Sequence, residues 1–119
     1  MERRVRLRRA SDIKAIYEEG KTWKHPLLVL MARPNRRPVT RIGVTASKRL
    51  GSAVVRNRAK RLLREAARRL YNKFGSGWDV MLIARTRMVD ARAEEVERAL
   101  AALLRRAQLA QRQRENNSA

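Results

Sequence analysis

Arg56, Lys60 and Arg64 follow one another at four-residue intervals, with Asn57, Arg61 and Arg68 interleaved. At about 100° per residue on a helix, these six donor-rich side chains share an arc of roughly 140°. Arginine offers a planar fork that grips phosphate bidentately and stacks on bases, while lysine supplies a mobile point charge. Asparagine adds a neutral group that both donates and accepts, suited to a 2′-hydroxyl or a base edge. Like charges at i, i+4 oppose the helix by about 0.2–0.5 kcal/mol per pair, and only Glu65 offsets them. A merely solvated face would mix signs, so the pattern points to a polyanion.

The same segment, residues 51–71, carries an opposed apolar stripe. Val55, Ala59, Leu62, Leu63, Ala66 and Leu70 fall within an arc of roughly 100°, which docks a helix on a sheet. Around this helix the chain predicts a small α+β fold. Ser11 is placed to cap a first short helix and Gly20 to end it, with Ile13, Ile16 and Tyr17 on one apolar side. A short strand is expected at Thr22 and Trp23, broken at Pro26, and another along the apolar run Leu27 to Ala32. Pro34 to Pro38 turns the chain. From Thr40 the pattern alternates, with Ile42, Val44 and Ala46 on one side and Arg41, Gly43, Thr45 and Ser47 on the other, as in a half-covered antiparallel strand. Gly75-Ser76-Gly77 stops the long helix, Trp78 to Arg85 forms a further strand, and Asp90 caps a last helix with Val96, Leu100, Leu103, Leu104 and Ala107 as its stripe. The order is αβββαβα in one domain over residues 1–119, with a basic arm at residues 1–10 and a frayed polar tail at 110–119.

Composition supports the polyanion reading. The net charge is +19, and 24 of the 30 basic residues are arginine. No run approaches the ~18 apolar residues of a membrane span, and the helices lack large aromatic faces for a membrane surface. Cysteine is absent, which suits a reducing cytoplasm and excludes a disulfide framework or a thiolate metal site. The Arg-rich start leads into no apolar stretch of a secretory signal.

Residues for chemistry of the chain's own are missing. His25, the single histidine, has no cysteine or carboxylate nearby in sequence and reads as structural. Asp12, Asp79 and Asp90 sit at helix starts or on a strand, where capping or edge roles suffice, so no pair for general acid/base or two-metal work is supported. Trp23 and Trp78 read as core anchors. No phosphate-loop, nucleophile-elbow or zinc-helix motif is present.

The run Gly43-Val44-Thr45-Ala46-Ser47-Lys48-Arg49-Leu50-Gly51, continuing through Ala53-Val54-Val55-Arg56-Asn57-Arg58-Ala59-Lys60-Arg61 to Arg64, closely resembles the signature of the bacterial ribonuclease P protein component. Supporting order runs from Arg6-Leu7 through Tyr17 and Gly20 to the final helix, over roughly residues 5–107. The resemblance implies a monomeric protein that joins a catalytic RNA in removing the 5′ leader of precursor tRNA, with Mg²⁺ supplied through the RNA and no cofactor of its own. It implies that Arg56, Asn57, Arg58, Lys60, Arg61 and Arg64, with Arg68 on the same face, contact RNA, with Ser47, Lys48 and Arg49 at the adjoining strand end. It further implies a left-handed β-α-β crossover, against the usual hand, and a cleft between the basic helix and the sheet for the single-stranded leader. Ile13, Tyr17 and Met31 occupy cleft positions that are commonly aromatic, so only Tyr17 keeps a ring for stacking, worth ~1–3 kcal/mol per base. Ser52 stands where the family often has asparagine, and both cap well. Two other readings are a ribosomal or chaperone-type binder of structured RNA and a self-sufficient nuclease.

Overall fold

Strands β2 (Leu28–Pro34) and β4 (Trp78–Ala84) take the centre of the sheet because their apolar residues fall on both faces. In this computed structural model, which describes residues 3–112, the edges are β1 (Lys21–Lys24) and β3 (Arg41–Ala46), giving the order β1-β2-β4-β3. β2 runs antiparallel to β1 and β4, whereas β3 pairs with β4 in parallel, Ile42 opposite Val80 and Val44 opposite Leu82. The antiparallel expectation for β3 is therefore corrected. Alternation reports which side a residue faces and nothing about strand direction, and the helix after β3 is long enough to return the chain to the same end.

Helices α2 (Ala53–Arg69) and α3 (Ala93–Ala107) pack together over one face. There Leu63, Ala66, Val96, Leu100 and Leu103 meet Leu28, Leu30, Val80 and Leu82, all but closed to solvent. The predicted α2 stripe lies inward and gains Ala67. Helix α1 (Ala10–Glu19) covers part of the opposite face, where Ile16, Leu7 and Met81 form a smaller cluster.

Several boundaries shift. α1 starts at Ala10 with Arg9 before it and no side-chain cap, so Ser11 lies inside the first turn. Gly20 is extended rather than left-handed, and its requirement is space: a Cβ there would lie 2.5 Å from the Ile16 carbonyl oxygen. Asp90 ends a 3₁₀ turn, and α3 begins at Ala93, where Glu95 accepts a hydrogen bond from the Arg92 N–H at 3.1 Å. Ser52 caps α2 as predicted, its Oγ accepting from the Val55 N–H at 3.4 Å.

The arm and the tail are held more firmly than their composition suggests. Val5 and Leu7 are buried, and the Leu7 N–H donates to the Ile42 carbonyl at 3.1 Å, laying the arm along the edge of β3. After α3, Leu109 is buried, and its carbonyl accepts from the Trp78 indole N–H at 3.0 Å. Arg112 donates to the Ala107 carbonyl at 2.6 Å and lies 5.6 Å from the Trp23 ring centroid. The frayed tail predicted from residue 110 is corrected as far as Arg112, while residues 1–2 and 113–119 lie outside the described residues.

Candidate nucleic-acid interface

The apolar stripe that seats α2 on the sheet turns the remainder of the helix outward. Asn57, Arg61 and Arg64 are exposed, and Arg56 and Lys60 are half-buried. Among the described residues none of these five side chains has a hydrogen-bond or ion-pair partner, and the Arg56 Nε is buried without an acceptor. Ser47, Lys48 and Arg49 are exposed where β3 ends, and buried Leu50 anchors their 3₁₀ turn beside the start of α2. The result is a row of unspent donors.

Two expected members of that row are engaged elsewhere. Arg58 faces the protein, donating to the carbonyls of Val89 at 3.2 Å and Ala91 at 2.8 Å, so it ties α2 to the segment before α3. The carbonyls leave its charge unneutralised but turn two of its guanidinium nitrogens toward the protein. Arg68 pairs with Glu65, which also lies 3.5 Å from Arg69. The Arg68 hydrogen bond holds the Glu65 carboxyl below its usual range, and Glu65 in turn pushes the Arg68 guanidinium up. Such an exposed pair contributes little to stability.

Ile13 and Met31 do come together, but on the other side of the sheet from α2, where they pack on the cluster of Leu7, Ile16 and Met81. Tyr17, about one turn after Ile13 on α1, is 50% exposed. The predicted cleft between the basic helix and the sheet is thus corrected. α2 packs directly on β3 and β4, whereas α1 covers only part of the opposite face. There Val29, Ile83 and Thr45 lie side by side across three strands, each half-buried, with Lys24 at the end of the row. Partial burial pushes the Tyr17 phenol above its usual pKa.

A polar cluster that sequence reasoning missed stands under the amino end of α1. Arg41 donates to Asp79 through Nε at 2.9 Å and Nη2 at 2.7 Å, and Asn35 Nδ2 donates to the same carboxylate at 2.9 Å. Arg41 Nη2 also lies 3.3 Å from Asp12 Oδ2. The hydrogen bond to Asp79 raises the Arg41 pKa despite the opposing effect of burial, so this arginine stays charged. The only signal in the sequence is that Asp79 interrupts an otherwise apolar strand.

The family model for ribonuclease P matches residues 1–108. The ribonuclease P protein component of Herpetosiphon aurantiacus is 45% identical over 109 residues, covering 92% of this chain and 89% of the relative. The chain belongs to the ribonuclease P protein family. The component from Dehalococcoides mccartyi is 36% identical, covering 99% of this chain and 97% of its own. Among solved structures, the Staphylococcus aureus RNase P protein superposes with a TM-score of 0.79 at 27% identity, covering 88% of this chain and 96% of that one. The Thermotoga maritima RNase P protein gives 0.77 at 30% identity, covering 85% and 96%.

A ribonuclease P protein with this much unneutralised charge repels itself when folded, and bound anions stabilise it by mass action. Sulfate or phosphate is expected to raise the melting temperature at constant ionic strength. A melt indifferent to phosphate would contradict a clustered anion site.

Proposed function

We propose that this ribonuclease P protein subunit binds RNA through two opposite faces, with α2 and the end of β3 holding the catalytic RNA and the cleft beside α1 holding the 5′ leader of precursor tRNA. The observation that carries this reading is the separation of the two surfaces by the sheet. One is a row of unpaired cations, suited to the phosphates of folded RNA. The other is a half-open apolar floor with one exposed ring, suited to unpaired bases.

Bond cleavage belongs to the RNA in this reading. Asp12, Glu19, Glu65 and Asp79 are each engaged by arginines, which suits them poorly as bases. Among the described residues no group of three or more His, Asp or Glu could hold a metal ion. Mg²⁺ would be held by the RNA rather than by side chains of this protein, and would supply an activated water there. The protein's cations lower the repulsion between RNA subunit and substrate, and Tyr17 with its apolar neighbours fixes the leader. It acts in the cytoplasm as a monomer that joins the RNA. No helix among the described residues is long and apolar enough to cross a membrane.

The test is reconstitution. Protein alone with Mg²⁺ should leave precursor tRNA intact, and protein with a bacterial ribonuclease P RNA at low Mg²⁺ should give a single cut at the leader junction. Cleavage by the protein alone would favour a nuclease. Binding without stimulation of a matched RNA would favour a structured-RNA binder with no role in cleavage.

A further inference from the structure

Helix α1 carries the ring of the leader cleft, yet it has a thin apolar hold on the sheet. Of its ten residues only Ile16 is fully buried, with Ile13 partly so beside it, and two such side chains within one turn fix a helix's height better than its tilt. Its two ends are held by charge. At the carboxyl end Glu19 lies 3.1 Å from Arg33, but the Glu19 side chain is 62% exposed, so this pair is screened and weak. At the amino end Asp12 meets Arg41, whose side chain is 13% exposed.

Arg41 is an unusually stiff post. Both Asp79 oxygens fix its guanidinium, and Asn35 fixes Asp79 while also donating to the Val39 carbonyl at 3.0 Å. A planar fork already bound along one edge presents its remaining donors in a set direction. Asp12 Oδ2 is buried and sits 3.3 Å from Nη2 without hydrogen-bond alignment, so charge rather than a directed bond holds it there. Ile13 follows Asp12 directly, and Tyr17 lies a little over one turn further along.

We propose that Asp12 is a positioning residue for the leader: through Arg41 and Asp79 it sets the tilt of α1 over the sheet, and with it the place of the Tyr17 ring. The proposal rests on the reading of this cleft as the leader site. Arg41 serves the fold through Asp79 and the cleft through Asp12, and the second role can be removed without the first.

The experiment uses the reconstituted RNA–protein complex and two substrates, precursor tRNA with its leader and the same tRNA without it. Asp12→Asn keeps the shape and removes the charge. It should weaken the leader-bearing substrate on the order of fivefold and leave the other nearly unchanged, Asp12→Glu should recover part of the loss, and Asp12→Asn combined with Tyr17→Ala should be no worse than Tyr17→Ala alone. Amide exchange in the free protein should quicken within α1 and not in β2 or β4. Equal loss for both substrates, additive effects with Tyr17→Ala, or faster exchange throughout the sheet would overturn the positioning role while leaving the leader cleft standing. If Tyr17→Ala itself does not distinguish the substrates, the leader reading fails and the proposal fails with it.

Discussion

Asp79→Ala should be among the most destabilising single substitutions in this protein, costing about 3–5 kcal/mol. The Asp79 side chain is 1% exposed and neutralises Arg41, which is itself largely buried. Removing the carboxylate strands a guanidinium that stays charged and leaves the Asn35 amide without one of its acceptors. Among the described residues the partly exposed Asp12 would be the remaining acid paired with Arg41, and its misaligned contact cannot replace a bidentate pair. Against a typical domain stability of about 5–15 kcal/mol, the variant retains little margin. Urea denaturation of Asp79→Ala beside Asp12→Asn gives the check, with the second expected within about 1 kcal/mol of the parent because Asp12 is less buried and its contact lacks alignment. Similar midpoints for the two variants would mean that the buried pair does not hold the sheet edge.

Asp79 also marks where sequence reading stops. Its place in an apolar run was visible and an edge role was the natural expectation, but its partners lie 38 and 44 residues away, a separation that periodicity does not encode. What periodicity does encode is the buried face of each element. The α2 and α3 stripes, the apolar run of β2 and the alternation of β3 each reported a buried face, because burial is a property of one element against its surroundings. Direction, register and capping depend on a second element. Thus β3 reads as antiparallel, Ser11 and Asp90 read as caps, and the arm reads only as basic although Val5 and Leu7 are buried. The resemblance brought Ile13, Tyr17 and Met31 to one cleft, yet the side of the sheet on which they lie followed only from the strand pairing. Val29, Ile83 and Thr45 joined them for the same reason, since three side chains from three strands become neighbours only once the register is known.

Arg58 shows the same limit on the binding face, and it yields a prediction that divides the arginines of α2 into two kinds. Replacing Arg56, Lys60 and Arg64 together by alanine should lower the dependence of log K on log salt by about 2–3 units, as each lost phosphate contact removes about 0.7–0.9. RNA affinity should fall on the order of a hundredfold or more at moderate salt, with folding stability unchanged or raised because three like charges leave one helix face. Arg58→Ala should do the reverse. Its guanidinium satisfies the Val89 and Ala91 carbonyls, so its loss should cost about 1–3 kcal/mol of stability and leave the salt slope intact. Salt-titrated binding of a bacterial ribonuclease P RNA, paired with denaturation of the free protein, separates the two outcomes. If Arg58→Ala lowers the slope by as much as one of the other three, its donors leave those carbonyls for phosphate when RNA binds. If the triple variant keeps its slope, the exposed row on α2 is not the surface that meets the RNA backbone, and the arginines of the amino-terminal arm beside β3 become the next cations to remove.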